Sequence, residues 1–422
     1  MNKSPDFAII TVMNILYISQ YFPPEVGATQ NRAFEMAANL VRLGHKVTIL
    51  TEFPNHPGGI IPPEYRRRWY VKDELAGIRV VRVWVFARPV KTFFTRMGFY
   101  LTFMVNAALV GTLVRGPYDI VYATSPPYFV GVTALWLSLV KRARFVFEVR
   151  DLWVQSAAEL GELSNPRLLK MAGWLDHLYY RKAWRIIAVT RGIYDALATR
   201  GLAAKLHLIY NGTNCDLLYD RGSGKRLELG WEKKFVVMYA GILGIAQGLE
   251  EICRVIAQLK SDPEIQFAFV GAGPLRQRIE TLQKEQGLTN LTLLGEIPRE
   301  RIADYLSAAD CCLVPLKRRE TFRGALPSKM FDVMACSRPL LLSVDGEARE
   351  LVEKIGAGLY VEPENDDELR QAILTLKNDP ALGKKMGAAG RAFVENNFSR
   401  RQAAIELERV LQDVLNESRR SA

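Results

Sequence analysis

The chain has 422 residues, of which 49% are hydrophobic and 24% are charged. This composition is ordinary for a globular enzyme and excludes a disordered chain, and the length exceeds one typical core, which predicts two domains. Five cysteines without a CxxC spacing indicate a reducing compartment and give no support for a zinc site, and only four histidines argue against a His-rich metal centre. The formal net charge of +11 is spread unevenly along the chain.

The N-terminal segment at residues 7–18 has the apolar character of a signal-peptide core. Its basic flank is a single lysine, Lys3, balanced by Asp6, and no small-residue cleavage site follows. Export is therefore not expected. We expect the first strand to begin at Met13, with residues 1–12 forming an extension ahead of the fold.

Strand and helix patterns alternate through the first half, which is the signature of parallel sheets covered by helices. A strand is predicted over residues 14–19, followed by a Pro/Gly loop and an amphipathic helix over 30–43 that ends at Gly44. Further strands are predicted at residues 46–51, 79–85, 120–123, 145–149 and 185–189. These patterns predict one doubly wound unit that extends to about residue 200.

A cationic and aromatic segment interrupts this unit at residues 61–96, where nine Arg or Lys residues face three acids and seven aromatic residues are interleaved. Such a segment suits an anionic membrane surface or a polyanionic ligand. The alternative is a solvated strand-and-loop face. Nucleic acid is a poorer candidate, because no helix-turn-helix, RNP-like or zinc-finger pattern accompanies the basic residues.

The next segment, residues 97–114, contains no charged residue and is flanked by Arg96 and Arg115. Its length only just reaches the lower bound for a bilayer span, and it contains Gly98, Asn106 and Gly111. We therefore expect a helix that packs on the sheet or lies in the membrane interface. Together, segments 61–96 and 97–114 are typical of an enzyme that sits on one face of a membrane.

The second half restarts the same alternation. A strand is predicted at 235–240, then a glycine-containing loop and a helix over 249–259. Further strands are predicted at residues 266–270, 291–294, 311–314, 340–344 and 358–361, and a final helix over 400–415 is expected to pack back on the first domain. The Asn-Gly turn within residues 209–215 predicts the position of the hinge between the two domains. The predicted domains are 13–205 and 206–398, with a crossover helix at 399–422.

Two groups of residues in the first half follow predicted strands, where ligands of open parallel sheets bind. Gly27 lies in the loop after the first strand and lacks the Cβ that would block a ligand's approach to the backbone, although a structural turn explains this loop equally well. Arg150, Asp151 and Trp153 follow the strand at 145–149. Arg150 can pair with a phosphate and Asp151 can hold a substrate hydroxyl. The alternative is an Arg–Asp ion pair that ties down a loop.

Glycine turns follow two strands of the second half. Gly241, Gly244, Gln247 and Gly248 lie between a strand and a helix, where backbone amides can reach a phosphate. Gly271 begins another turn at a strand end. A simple strand-to-helix turn is the alternative in both places. No basic residue lies between residues 235 and 253, so any phosphate charge must be met from elsewhere.

Residues 320–335 offer that charge. Ser328 is predicted as the N-cap of a short helix, with Lys329 in its first turn and Asp332 one turn further on. The unpaired amides of such a helix end attract a phosphate, Lys329 adds a full charge, and Asp332 can accept from a ribose hydroxyl. Arg323 is a further candidate cation. The alternative is an ordinary amphipathic helix with its apolar residues buried and its polar residues solvated.

Residues 320–335, the Glu-Val-Arg-Asp-Leu-Trp run at 148–153 and the loop at 239–248 resemble the signatures of retaining glycosyltransferases of family 4, in particular bacterial enzymes that build surface polysaccharides. The resemblance extends over about residues 13–415. It implies the α/β arrangement called GT-B, in which two Rossmann-like doubly wound parallel-sheet domains face a cleft. The donor then binds the second domain, and the acceptor binds the first.

The resemblance also implies roles for the candidate residues. The donor site is expected to contain Gly241, Gly244, Gln247, Gly248, Gly271, Ser328, Lys329 and Asp332, and the acceptor site to contain Gly27, Arg150, Asp151 and Trp153. Lys329, Arg323 and Asp151 are expected to act in catalysis. The sequence departs from the family pattern at four places: Gln247 replaces a lysine, Gly324 replaces the first of two acids, Asp332 replaces a glutamate as the second acid, and Val154-Gln155-Ser156 replaces Pro-Glu-Ser.

The resemblance further implies the substrates and the cell location. We expect a nucleoside diphosphate sugar donor, UDP-linked in preference to GDP-linked, and a lipid-linked or oligosaccharide acceptor. Transfer is expected to retain the anomeric configuration and to need neither a metal nor another cofactor. The protein is expected to be cytoplasmic, associated peripherally with the inner face of the cell membrane through residues 61–114, and not to bind nucleic acid.

Two other functions are alternatives for this sequence. A sugar-nucleotide 2-epimerase shares the two-domain architecture, but it needs acids and a histidine in its cleft and no lipid acceptor. A non-catalytic nucleotide-sugar-binding subunit that regulates an assembly complex is favoured by the missing basic residues of the loop at 241–248.

Overall fold

The computed structural model describes residues 12–25, 27–56, 58–90, 92–159 and 165–420. The chain divides into two compact units. Unit 1 comprises Met1–Val189, Ile193–Ile209 and Ala403–Ala422, and unit 2 comprises Thr190–Gly192 and Tyr210–Gln402. Apart from Val12, the predicted N-terminal extension lies outside the described residues.

Unit 1 is built on one sheet. Its strands are β1 (Asn14–Ile18), β2 (Lys46–Glu52), β3 (Tyr70–Leu75), β4 (Ile78–Val83), β5 (Ile120–Ser125), β6 (Arg144–Val149), β7 (Arg185–Ala188) and β8 (Leu206–Leu208). They lie in the order β3-β4-β2-β1-β5-β6-β7-β8, and all neighbours are parallel except β3 and β4. Side chains alternate along a strand, so Ile15 and Tyr17 of β1 enter one core cluster and Leu16 and Ile18 enter another.

The first six helices are α1 (Ala28–Arg42), α2 (Phe93–Leu113), α3 (Val130–Lys141), α4 (Trp153–Glu159), α5 (Pro166–Lys182) and α6 (Arg191–Leu197). Helix α1 buries Ala33, Met36, Ala37 and Leu40, which is the spacing of an amphipathic helix that covers a sheet. Helices α2, α3 and α5 pack in the other core cluster. The sheet of unit 1 therefore lies between two helical layers.

Unit 2 repeats this plan on a smaller sheet. Its strands are β9 (Phe235–Ala240), β10 (Ile265–Val270), β11 (Leu291–Leu293), β12 (Cys311–Pro315), β13 (Leu340–Ser343) and β14 (Gly358–Tyr360). They are all parallel, in the order β11-β10-β9-β12-β13-β14. Its helices are α7 (Gly224–Glu228), α8 (Leu249–Gln258), α9 (Arg276–Gln286), α10 (Ile302–Ala308), α11 (Ser328–Ala335), α12 (Glu347–Ile355), α13 (Asp366–Asn378) and α14 (Pro380–Asn397).

The last helix, α15 (Arg400–Arg420), joins α1 in covering unit 1. It buries Ala404, Leu407 and Leu411 in the cluster that holds Ile15 of β1. Near this contact, Nε2 of His45 lies 2.9 Å from a carboxylate oxygen of Glu408. The C-terminal helix thus packs on the first unit, as the sequence predicts.

The predicted fold class, two doubly wound parallel sheets, is confirmed. Two strands were not predicted: β8 has only three residues, and β3 is an antiparallel edge strand with mostly exposed, charged side chains. Helix α2 starts four residues before the predicted apolar segment, because the side chain of Thr92 caps it by accepting a hydrogen bond from the amide of Thr95. Within the described part of the chain, no helix combines the length and apolarity needed to cross a membrane.

Candidate active site

The loops after β9 and β10 meet at the carboxyl end of the unit 2 sheet. The amide of Gly241 donates to the carbonyl of Val270 at 2.9 Å, and the amide of Gly271 donates to the carbonyl of Gly295 at 2.7 Å. A Cβ at Gly271 would lie 2.0 Å from the carbonyl oxygen of Gly241, and both glycines have a positive φ, 136° and 152°. Glycine is therefore required at position 271, and the two amides are already used within the protein.

Helix α11 begins beside these loops with an open end. Its N-cap is Pro327 and its first residue is Ser328, and no side chain caps the helix. The prediction that Ser328 is the N-cap is therefore wrong. Pro327, with ψ of 122°, supplies the non-helical residue and leaves Ser328 already in the first turn. The amide of Met330 donates to the carbonyl of Pro327 at 3.0 Å, and in the described part of the chain no side chain caps the helix, which leaves the amides of Ser328 and Lys329 for an anion.

Lys329 projects from this first turn toward the end of β9. Its Nζ donates to the hydroxyl of Tyr239 at 2.8 Å and lies 4.3 Å from the centre of that ring. A Cβ at Gly241 would lie 3.0 Å from Nζ. Burial lowers the pKa of Lys329 to about 7, although the side chain keeps some exposure. Among the described residues no carboxylate forms an ion pair with Lys329, so its charge is uncompensated.

Asp332, one turn further along α11, has a different environment. Arg299 donates to both carboxylate oxygens at 2.6 and 3.2 Å, and the hydroxyl of Thr213 donates to one of them at 2.5 Å. The carboxylates and guanidinium are mostly buried, with 20% and 16% of the side chains exposed. In this structure Asp332 ties α11 to Arg299 and Thr213, two residues that the sequence pattern did not single out.

The loop before α8 contains the remaining donor-site candidates. Gln247 folds over Gly244, since its Oε1 lies 2.5 Å from where a Cβ on that glycine would be. Gly248, with a φ of 60°, is the N-cap of α8. A cation missed by the sequence reasoning reaches this loop: the amide of Lys317 donates to the carbonyl of Ala246 at 2.8 Å. Its position just after the buried strand β12 was the available signal.

Arg323 occupies a more exposed place than Lys329. Its guanidinium pairs with Glu320 and Asp345, each at 3.4 Å, and 55% of the side chain is exposed. It lines a surface cavity together with Lys317, whose Nζ in turn pairs with Glu251 at 3.1 Å. Arg323 thus differs from Lys329 in already having acid partners.

In unit 1, Gly27 is the N-cap of α1 and has an extended backbone, with φ of 171°. A Cβ at this position would lie 2.4 Å from Oε1 of Gln30, so the glycine admits that side chain close to the loop. Arg150 and Asp151 follow β6 directly and are partly exposed. Trp153 begins α4 and stacks on Tyr128, with ring centres 4.8 Å apart.

Behind Arg150 lies a fully buried ion pair. Arg32 of α1 donates to Glu148 of β6 with an Nη2 to Oε2 distance of 2.7 Å, and both side chains have no exposed surface. Tyr122 and Thr124 donate to the same carboxylate at 2.6 and 2.7 Å. Burial alone would raise the pKa of Glu148, but the charge and hydrogen bonds of Arg32 lower it to about 2. Glu148 is therefore a structural carboxylate.

The residues that the structure describes contain no group of three or more His, Cys, Asp or Glu side chains placed to hold a metal ion. The positive charge at the unit 2 edge comes from Lys329 and the open end of α11, whereas the charge of Lys317 is paired with Glu251.

Two doubly wound α/β sheets in one chain are the architecture of the GT-B fold. Residues 27–212 match the glycosyl transferase 4-like domain, and residues 225–393 match the glycosyl transferases group 1. The chain belongs to the glycosyltransferases that combine these two domains, so the predicted family and enzyme class are confirmed.

Relatives and solved structures agree with this assignment. The WcaI protein of Escherichia coli, named as a colanic acid biosynthesis glycosyl transferase, is 23% identical over 385 residues, which cover 87% of this chain and 94% of that protein. Sucrose-phosphate synthase of Thermosynechococcus elongatus has the same fold, with a TM-score of 0.75, 22% identity and coverage of 96% and 100% of the two chains. HepE of Anabaena, solved with UDP and glucose, gives a TM-score of 0.69 at 19% identity, with coverage of 95% and 99%.

Proposed function

We propose that the protein transfers a sugar from a nucleoside diphosphate sugar to a lipid-linked or oligosaccharide acceptor during the synthesis of a surface polysaccharide. The observation that carries the proposal is Lys329, which lies at the uncapped start of α11 and pairs with no acid in the described part of the chain. A UDP-linked donor is favoured, since HepE, which shares the fold, was solved with UDP and glucose. The name of the Escherichia coli relative supports the polysaccharide setting.

A donor diphosphate satisfies the groups that this edge of the sheet leaves open. The ammonium of Lys329 supplies a full positive charge, and the first amides of α11 add hydrogen-bond donors and the positive end of the helix dipole. An anion bound there also offsets the cost of burying Lys329, which its lowered pKa of about 7 reports. Lys317 and Arg323 are placed to add charge at the neighbouring loop and cavity.

The same groups favour bond cleavage. As the bond between the sugar C1 and the diphosphate oxygen breaks, negative charge grows on the leaving diphosphate, and Lys329 and the α11 amides stabilise it. The acceptor oxygen then forms the new bond to C1 on the same face, and its proton passes to a diphosphate oxygen, which retains the configuration. In this proposal Asp151 of unit 1 holds the acceptor hydroxyl, and neither a metal nor a cofactor is required.

The donor site is tested by Lys329→Met, which keeps the apolar stem against Tyr239 and removes the charge. The dissociation constant of UDP in calorimetric titration is expected to rise about 10- to 100-fold, because a hydrogen bond to a charged group is worth roughly 1.5–3 kcal/mol. The melting temperature of the empty protein should change little, because the loss of the hydrogen bond to Tyr239 is offset by the removal of a buried charge that has no ion pair among the described residues.

The matched control is Lys377→Met, because Lys377 of unit 2 already pairs with Asp262 at 2.6 Å and Glu264 at 2.9 Å. UDP binding should be unchanged in this variant. Equal UDP affinity in wild type and Lys329→Met would overturn the assignment. Release of UDP from UDP-glucose by the wild type separates an enzyme from a pure binding subunit, which releases none.

We also propose that unit 1 docks on the inner face of the cell membrane, through segment 61–114 and the helices that flank it. Helix α2 exposes Leu101, Val105, Leu109 and Leu113, which recur every fourth residue and form one stripe. Helix α3 continues this apolar surface with Trp136 and Leu139, and α5 adds Met171 and Trp174.

The charges on these three helices fit an anionic lipid surface. Their basic residues are Arg96, Lys141, Arg167, Lys170, Arg181 and Lys182, and their single acid, Asp176, is buried. Apolar side chains that enter the headgroup boundary, with cations beside them, are the pattern of a peripheral membrane protein.

Flotation with anionic liposomes at low salt tests this docking. The wild type is expected to float. The double variant Leu139→Ser, Trp174→Ser should bind the liposomes about tenfold more weakly or worse, since burial of such a side chain is worth roughly 1.5–3 kcal/mol. Asp413→Ser with Asn416→Ser, two exposed positions on α15, is the control and should float like the wild type. Full recovery of the wild type in the soluble fraction would overturn membrane docking.

A further inference from the structure

Arg150 is a partly exposed cation whose inner guanidinium nitrogens have no partner among the residues that the structure describes. It follows β6, the strand that carries Glu148, and its Nε and Nη1 atoms are shielded from solvent with no hydrogen-bond acceptor. Buried polar atoms of this kind are uncommon, and each one calls for an explanation. The neighbouring Arg32 shows the usual solution, since its guanidinium donates to Glu148.

Glu148 cannot serve both arginines. Its Oε1 accepts from Arg32 at 3.1 Å and Thr124 at 2.7 Å, and its Oε2 accepts from Arg32 at 2.7 Å and Tyr122 at 2.6 Å. The lone pairs of the carboxylate are therefore occupied. Arg32, Glu148 and Arg150 together carry one net positive charge, and that excess charge lies on Arg150.

The protein bears a cost for this charge when the site is empty. Burial lowers the pKa of Arg150; Glu148 opposes that effect and Arg32 adds to it. An uncompensated buried charge is strongly unfavourable, so its presence at a strand end suits a site that an anion completes. The residue as a whole keeps some exposure, while Nε and Nη1 are shielded, so an anion reaches these two nitrogens after a local movement of the side chain.

We propose that Arg150 binds a phosphate or diphosphate group of the acceptor, so that the acceptor is a phosphate-linked glycan carrier and not a neutral oligosaccharide. A guanidinium matches two phosphate oxygens through its Nε–Nη2 edge or its Nη1–Nη2 edge. In Arg150 each of these edges contains one nitrogen, Nε or Nη1, that has no acceptor among the described residues. The inference rests on the proposed transferase function. It selects one of the two acceptor classes that the family resemblance leaves open.

The test crosses two variants with two soluble probes in calorimetric titrations. Citronellyl diphosphate stands for a phosphate-linked carrier, and UDP stands for the donor. Arg150→Met is expected to weaken binding of citronellyl diphosphate at least about tenfold and to leave UDP unchanged. Lys329→Met is expected to weaken the binding of UDP and to leave the binding of citronellyl diphosphate unchanged. Citronellol, which lacks the diphosphate, should not distinguish Arg150→Met from the wild type.

Thermal unfolding separates a binding role from a structural one. Without ligand, Arg150→Met should melt at the same temperature as the wild type or higher, because the change removes an unpaired buried charge. Arg42→Met is the control for a general loss of positive charge, since Arg42 ends α1 and makes one hydrogen bond, to Asn39 at 3.3 Å. It should bind both probes normally.

Arg150→Lys covers the case in which Arg150→Met does not fold, since it keeps the charge but loses the fork, and citronellyl diphosphate should bind it more weakly than the wild type. Unchanged binding of citronellyl diphosphate by these variants would overturn the proposal. Equal losses of affinity for UDP and citronellyl diphosphate would indicate that Arg150 binds the donor. That result would also overturn the proposal. If only Lys329→Met failed to alter UDP binding, the donor assignment would fall while the acceptor site remained.

Discussion

The Arg32–Glu148 pair of unit 1 and Lys329 of unit 2 differ in how the fold compensates their charges. In unit 1, the buried charges of Arg32 and Glu148 neutralise each other. The hydroxyls of Tyr122 and Thr124 donate the remaining hydrogen bonds to the carboxylate. In unit 2, the ammonium of Lys329 meets a tyrosine and an uncapped helix end. From this contrast we infer that a charge compensated by the fold is structural, whereas a charge without an opposite partner, as at Lys329 and Arg150, is a candidate for binding a ligand.

The largest expected effect comes from breaking the compensated pair. Glu148→Gln leaves Arg32 buried without its counter-charge, beside the already unpaired Arg150. The free energy of unfolding in urea is expected to fall by about 3–5 kcal/mol. The exposed Glu64→Gln is the control and should change it by less than about 0.5 kcal/mol. A loss of under about 1 kcal/mol in Glu148→Gln would show that the pair is not a structural centre.

The same ion pair predicts that the protein loses stability at acid pH. Although burial raises the pKa of Glu148, the charge and hydrogen bonds of Arg32 lower it to about 2 in the folded protein, from the ordinary value of 4.5 that applies to the unfolded chain. Its contribution to stability is therefore fully present above pH 4.5 and is lost as the pH falls toward 2. The difference in stability between wild type and Glu148→Gln should shrink over this range.

An intermediate effect is expected for Asp332, which the contrast assigns to structure although it shares α11 with Lys329. Asp332→Asn removes the charge that Arg299 faces in a mostly buried pair. Unfolding should become easier by roughly 1–2 kcal/mol, less than for a fully buried pair, while UDP affinity changes less than about threefold. The exposed Asp367→Asn is the control.

The opposite result for Asp332→Asn would favour the role predicted from sequence. A loss of UDP affinity of about tenfold, with stability unchanged, would mean that Asp332 accepts from the ribose when the donor is bound. The contrast between compensated and uncompensated charges would then fail on α11.

The sequence predicts what local patterns encode. The strand at 235–240 coincides with β9, because a short buried run of apolar residues is followed by glycine. Strand β3 was missed because Lys72, Asp73 and Glu74 give it the composition of a loop, and it pairs only at the sheet edge. Its register depends on the neighbouring strand and not on its own residues.

The candidate site shows the same division. Glycine loops and Lys329 can be recognised from nearby residues. The partners of Asp332 cannot, since Arg299 is 33 residues away in sequence and Thr213 is 119 residues away. Arg150 was recognised as a candidate from its place after a strand. The sequence does not show that Arg150 lacks a counter-charge, because this depends on the hydrogen bonds that Arg32 donates to Glu148.

The smallest expected effect is the pH dependence of donor affinity. The pKa of Lys329 is about 7 in the empty protein, below its ordinary value of 10.5, because burial disfavours the charged form. A bound diphosphate favours the charged form, so binding at higher pH must take up a proton. The dissociation constant of UDP should therefore rise by about tenfold per unit as the pH increases above 7.

Lys329→Arg isolates this cause, because an arginine stays charged throughout the range. Its UDP affinity should remain nearly constant from pH 7 to pH 8.5, whereas the wild type should lose affinity by about tenfold or more. Parallel curves for the two proteins would mean that the titrating group is not Lys329. A flat wild-type curve would mean that the ammonium is compensated in solution, and the contrast between the two sheets would lose its basis in unit 2.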